Sequence, residues 1–175
     1  DARRVLVIGA ETLSRVCDPH DRDSMIYADG AGACLLEGVH TDAPVGILAH
    51  CTRSDTSEHA ELIRLGHSFN PHFAGSDLFL KMSGHKLYEY ALRFVPRAVK
   101  ECVTKAGLDL RDISKILIHQ ANAKMDEAIL ERTYGLFGAD PAPDKVMPMT
   151  ISWLGNSSVA TIPTLLDLMM KNRLE

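Results

Sequence analysis

Two polar residues stand where the surrounding sequence gives them no obvious packing role. His119 ends the short apolar run Ile116-Leu117-Ile118 and is followed at once by "QAN" and a string of helix formers. Asn156 follows "MTISWLG" and precedes "SS", again between an extended-looking run and a helix. In open α/β sheets, ligands gather beyond the carboxyl ends of strands, where N–H groups of the next helix point outward. A neutral imidazole can donate from one ring nitrogen, and a carboxamide from its NH2. If the two strands are neighbours, both side chains converge on one pocket. Such a pair suits the stabilisation of negative charge developing on a carbonyl oxygen. Neither group is acidic enough to surrender its proton outright, which fits an enolate that forms and then reacts at carbon. Plainer roles stand beside this one. Asn156 can cap the helix that follows, and His119 can bond a loop carbonyl. The residues alone leave both readings open.

The elements that must position this pair alternate in type. "RVLVIG" at 4–9 reads as a buried strand, "AETLSRVC" can turn helically, and "DPHDRD" breaks it. Residues 25–37 look like a strand interrupted by small residues, and 45–53 like another strand. Residues 53–78 are polar and aperiodic, a long loop. A helix is predicted over 80–106. Gly84, Tyr88, Ala91, Val95, Val99, Cys102 and Ala106 recur at steps of three and four. Pro96 implies a kink or restart there, and Gly107 suits the C-terminal cap. "ISKILI" at 113–118 is the next strand, 121–134 a helix stopped at Gly135, 138–148 a proline-bearing loop, and 149–153 a strand. A last helix runs from about 159 to 171. This alternation predicts an α/β fold with a layered sheet.

Bulk properties narrow the function classes. The chain has 175 residues, 46% hydrophobic and 24% charged, enough for a sizeable core. A net charge of -4 and no basic run give no sign of nucleic-acid binding. No stretch approaches a membrane span, and no signal peptide opens the chain. Four cysteines, Cys17, Cys34, Cys51 and Cys102, form no C-x-x-C pair and read as reduced thiols of a cytoplasmic protein. His50, His59, His67, His72 and Cys51 crowd one polar segment, but their spacings match no tight ligand pair, so no metal is expected. "DGAGA" at 29–33 lacks the Lys-Ser/Thr of a phosphate loop and reads as small residues permitting close packing.

The order of motifs carries a resemblance. "HQAN" at 119–122 and "GNSS" at 155–158 resemble the β-ketoacyl-acyl-carrier-protein synthase III family, the initiating condensing enzymes of fatty acid synthesis. "VLVIGAETLSRVCDPHDRDSMIYADGAGACLLEG", "MSGHKLYEYAL" and "AGLDLRDISKILIHQAN" are similar to it as well. The resemblance implies a thiolase-like layered αβα fold. This chain would hold the end of the first half (1–52), a connection (53–79) and most of the second half (80–175), as a fragment without the last strands. It implies an acyltransferase that joins an acyl group from acyl-CoA to malonyl-acyl-carrier protein (ACP) by decarboxylative condensation. His119 and Asn156 would hold the enolate, and the nucleophilic cysteine would lie outside the chain. Arg22, Gly84, Tyr88, Ala121 and Asn122 match substrate-binding positions. Lys124 and Arg132 match positions that dock the carrier protein. Asp23 stands where the family often has Gly, and Glu89 where it often has a basic residue. No cofactor is implied beyond CoA and ACP thioesters as substrates; a homodimer is implied, with neither nucleic acid nor membrane as partner. A related job in secondary metabolism and a non-catalytic carrier-binding role remain as alternatives.

Overall fold

The computed structural model describes residues 3–174. Strand β1 (Arg4–Glu11) pairs antiparallel with β2 (Gly30–Glu37), from Arg4 opposite Glu37 to Glu11 opposite Gly30. Between them run two 3₁₀ turns, Leu13–Arg15 and Arg22–Ile26. A one-turn helix, α1 (Thr56–His59), leads to β3 (Ile63–Gly66), which pairs antiparallel with β4 (Phe79–Met82). The long helix α2 (Gly84–Lys105) packs on α3 (Ala123–Phe137). A single turn, α4 (Ile151–Leu154), precedes α5 (Thr161–Met170).

Small residues decide how the hairpin meets α5. A Cβ on Gly32 would come within 2.8 Å of Pro163 Cβ, and one on Gly30 within 3.0 Å of Ser157 Cβ. The "DGAGA" stretch therefore does what small residues suggest: it lets the segment 157–163 lie directly on the strand. Around the other half, Leu110, Tyr134, Val146 and Met147 form a buried cluster, with Ile113, Ile116 and Ile118 against it. This core fixes the segment that ends at His119 to the flank of α3.

Several elements differ from the sequence expectation, each for a tertiary reason. Among the described residues, 113–118 make one backbone hydrogen bond to the neighbouring segment, Ile116 N to Val146 O (2.8 Å), and no strand is formed there. Residues 45–53 carry neither strand nor helix. The expected strand at 149–153 is instead the turn α4; a short apolar run fits either by pattern. The loop 53–78 contains α1 and β3. The helix expected from 80 starts at Gly84, because Phe79–Met82 alternates as a strand. Its inward Lys81 is buried and bonds the fully buried Asp18, at 2.5 Å. Asp18 also accepts from Phe69 N, Ser68 Oγ and His20 N. Burial opposes its ionisation, but these donors outweigh it and hold the carboxyl well below its ordinary value. Helix α3 passes through Gly135 and ends at Gly138, which takes the left-handed conformation (φ 65°) of a helix end.

Pro96 sits inside a continuous α2. Proline has no N–H, so the Leu92 carbonyl one turn back loses its helical partner. Arg132 of α3 supplies the replacement, with Nη1 donating to Leu92 O at 3.3 Å. A residue matched by resemblance to carrier-protein docking thus has a structural task. Arg132→Ala is expected to cost about 1 kcal/mol. In a Pro96→Ala background, which restores the N–H, that cost should largely vanish. Equal costs in both backgrounds, measured by urea denaturation, would refute the pairing.

Candidate active site

The Asn156 turn is built on a backbone that only glycine accepts readily. Gly155 has φ 67° and ψ −168°. A Cβ there would lie 3.0 Å from Ala28 Cβ and 3.1 Å from Ile26 O. That close approach lets Asn156 N donate to Ile26 O (2.7 Å) and Ala28 N donate to Asn156 O (2.9 Å). The buried Asn156 is therefore fixed by its main chain on both sides. Its side-chain Oδ1 accepts from Ser158 N at 3.0 Å, which leaves the Nδ2 protons to donate elsewhere.

His119 reaches the same residue from the other side. Its Nδ1 lies 3.2 Å from Ser158 O. A carbonyl oxygen only accepts, so Nδ1 carries the proton and Nε2 presents its lone pair. Ser158 itself has φ 51°, unusual for a residue with a side chain. One residue thus gives its N–H to Asn156 and shares its C=O between His119 and Thr161 N. The loop-carbonyl bond foreseen for His119 exists; Asn156 is not the N-cap residue of the helical turn that follows but accepts from Ser158 N two residues on, and each bond leaves a polar group free. The protein around the ring lowers its pKa by desolvation, against the pull of the Ser158 carbonyl. Part of the ring still meets solvent, so it can exchange protons. The expectation that a neutral ring donates into a pocket needs correcting: the neutral ring donates to Ser158, and donation from Nε2 takes a second proton.

A cavity of about 400 Å³ brings together Arg22, Gly84, Tyr88, Ala121, Asn122 and Asn156. Its apolar walls are Met25, Met82, Met125, Ile26 and Leu87, and Asp23 lies beside Arg22. Three unbranched, polarisable methionines are among these and can adapt to a flexible arm. A Cβ on Gly84 would touch nothing within 4 Å, so the protein itself does not require a glycine there. His119 is absent from the lining and is tied to it through Ser158. Lys124 and Arg132 lie outside it. Asn122 also caps α3, its side chain accepting from Met125 N at 3.3 Å. None of the four thiols lines the cavity. Among the described residues, no group of three or more His, Cys, Asp or Glu side chains is arranged to hold a metal.

Comparison with known proteins follows the same motifs. Profiles of 3-oxoacyl-(acyl-carrier-protein) synthase III match residues 1–56 and, for its C-terminal region, 103–174. The β-ketoacyl-(acyl-carrier-protein) synthase III of Streptococcus pneumoniae is 35% identical over 167 residues, covering 93% of this chain and 48% of that protein. The chain belongs to the 3-oxoacyl-(acyl-carrier-protein) synthase III family. It spans about half the length of the curated relatives it matches. The solved synthase III from Thermus thermophilus superposes with a TM-score of 0.79 at 27% identity, over 98% of this chain and 52% of that one. The one from Pseudomonas aeruginosa gives 0.81 at 22% identity, over 99% and 51%. The fold is accordingly the thiolase-like fold of this family. The stretch between the two matched ranges supplies Met82, Gly84, Leu87 and Tyr88 to the cavity, so the cavity draws on a part of the sequence that neither profile covers.

Two side chains at the site gave no signal in the sequence. Gln120 is fully buried and bonds the segment 148–151. Asp126, one turn into α3, is fully buried with no hydrogen-bond partner for either oxygen among the described residues. Desolvation raises its pKa to about 7; the nearby N–H groups of Asn122 and Ala121, which make no hydrogen bond of good geometry to it, oppose this without cancelling it. In the unfolded chain the group ionises near its usual 3.8. Folding therefore costs progressively more from about pH 4 to about pH 7 and the full amount above. Asp126→Asn, which never ionises, should match the wild type near pH 4 and exceed it by about 1–3 kcal/mol above pH 7. One pKa unit corresponds to about 1.4 kcal/mol, trimmed by solvent relaxation. Denaturation across that pH range checks it; a pH-independent difference would contradict it.

Proposed function

We propose that the protein carrying this chain is an acyltransferase of 3-oxoacyl-ACP synthase III type. It condenses an acyl group taken from acyl-CoA with malonyl-ACP, and loses CO2. The observation that carries this reading is the shared tether of His119 and Asn156 on Ser158, beside a cavity that Asn156 lines. The acyl-bearing cysteine is assigned outside these 175 residues. None of the four thiols borders the cavity, and burial pushes the Cys17 and Cys51 thiols up, away from the reactive thiolate.

The chemistry follows from the free groups. The malonyl thioester enters along the methionine-lined walls, with Arg22 at the CoA-binding end and Ala121 and Asn122 beside the pantetheine arm. The bond to the leaving CO2 breaks, and its electron pair spreads over the α-carbon and the thioester carbonyl oxygen. Asn156 Nδ2 donates to that oxygen, and the His119 ring donates from Nε2 once it holds its second proton. The carbon then attacks the acyl–cysteine carbonyl. A C–C bond forms, the C–S bond breaks, and the cysteine leaves as thiolate. Lys124, exposed on α3, supports docking of the acidic carrier protein near this opening.

In the full-length protein, His119→Ala should lower malonyl decarboxylation by about 10²–10³-fold while leaving cysteine acylation largely intact. Unchanged decarboxylation would remove the mechanism. The two half-reactions should also diverge with pH. The ring titrates below the usual histidine value, so decarboxylation should climb as pH falls from about 8 towards that value. Acylation should climb in the opposite direction, with thiol ionisation. Gly84→Leu should raise the KM for malonyl thioester at least about tenfold without lowering the melting temperature, because the added side chain meets only the cavity. A lowered melting temperature with unchanged KM would show that Gly84 serves packing instead.

A further inference from the structure

Gln120 lies between His119 and the cavity residues Ala121 and Asn122, and its side chain points away from solvent entirely. Its Nε2 donates to Pro148 O at 2.9 Å. Its Oε1 accepts from Thr150 N at 2.7 Å, Ile151 N at 2.9 Å and Thr150 Oγ1 at 3.3 Å. Those two N–H groups open α4, whose own N-cap residue, Thr150, gives no side-chain cap bond. The first donors of a helix need an acceptor from somewhere, and here a carboxamide from a segment 30 residues earlier in the chain provides it. One turn later α4 ends at Gly155 and Asn156 begins.

We infer that Gln120 is a positioning residue, which uses α4 as a spacer to set Asn156 in register with His119. The backbone of residue 120 continues directly from His119. Its side chain grips the start of the turn that delivers Asn156. Ser158 then closes the loop by bonding both. The distance between the two polar groups is thereby fixed at two ends rather than one. A carboxamide is the group that does this: it offers an acceptor to three donors and a donor to one carbonyl at once. A glutamate would set a carboxylate oxygen against Pro148 O, and an apolar side chain would leave the buried Thr150 and Ile151 N–H groups without an acceptor.

The catalytic consequence rests on the condensation reading above; the geometric claim does not, and two readouts separate them. In the full-length protein, nitrogen NMR of the His119 ring reports which nitrogen holds the proton, and malonyl-thioester decarboxylation reports the chemistry. In Gln120→Met, the ring should lose its fixed Nδ1–H form. Decarboxylation kcat should fall by at least about tenfold, with KM and cysteine acylation within about twofold. In Gln120→Glu, both readouts should return towards wild type as pH falls and the acid regains a proton to donate to Pro148 O. That comparison, made in one protein, also holds if the methionine variant fails to fold. An unchanged ring signature in a folded variant would overturn the inference. So would decarboxylation and acylation falling together with the melting temperature. A ring signature that shifts in a protein whose wild type does not decarboxylate malonyl thioester would leave the positioning role standing and remove the condensation reading.

Discussion

A single residue's main chain, that of Ser158, carries two tethers on which the site depends. Its N–H holds the carboxamide oxygen of Asn156, and its C=O holds the Nδ1–H of His119. Each bond is modest alone. Together they orient two groups from separate turns and dictate which of their atoms remain free. The left-handed backbone of Ser158 is the cost of serving both sides. Such a conformation persists only where the surroundings over-determine it. Here they do: Ala160 is fully buried, and the Val159 carbonyl lies where a Cβ on Gly9 would come within 2.4 Å. The β1–β2 hairpin is thus the floor on which the tether rests.

The opposite wall of the cavity has its own anchor. The buried Lys81–Asp18 pair pins β4 to the turn after β1, and Lys81 also lies 3.5 Å from the Phe69 ring centroid. A buried ion pair adds little net stability, but separating its partners is costly because it leaves a buried charge unpaired. Met82 and Gly84 follow directly and face the cavity, while Arg22 comes from the chain just beyond Asp18 and Asp21. One charge network therefore sets the spacing between the wall that carries Arg22 and the wall that begins α2.

His119 and Asn156 were legible in the sequence because each interrupts an apolar run at the passage into a helix, a local pattern. Arg22, Gly84, Tyr88, Ala121 and Asn122, singled out through motif order, line one cavity. What escaped depends on partners distant in sequence. Lys81 falls within the helix expected over 80–106, and nothing local shows that it will lie buried against Asp18. Gln120 reads as an ordinary residue before a helix until the first N–H groups of α4 arrive. Arg132 reads as a surface cation until Pro96 leaves a carbonyl bare on the facing helix. The expected strands at 113–118 and 149–153 failed for a related reason: a strand is defined by its neighbours, and apolar runs of that length fit several partners. The tautomer of His119 was beyond local pattern altogether, since it is fixed by a carbonyl far along the chain.

The most direct measurement is a crystal structure of the full-length protein with a malonyl thioester analogue in which an amide replaces the thioester. The analogue's carbonyl oxygen is expected within about 3.2 Å of both Asn156 Nδ2 and His119 Nε2, with Nδ1 still on Ser158 O. An oxygen out of reach of either donor, or a ring rotated off Ser158 to meet it, would contradict the shared tether as the organising feature of this site.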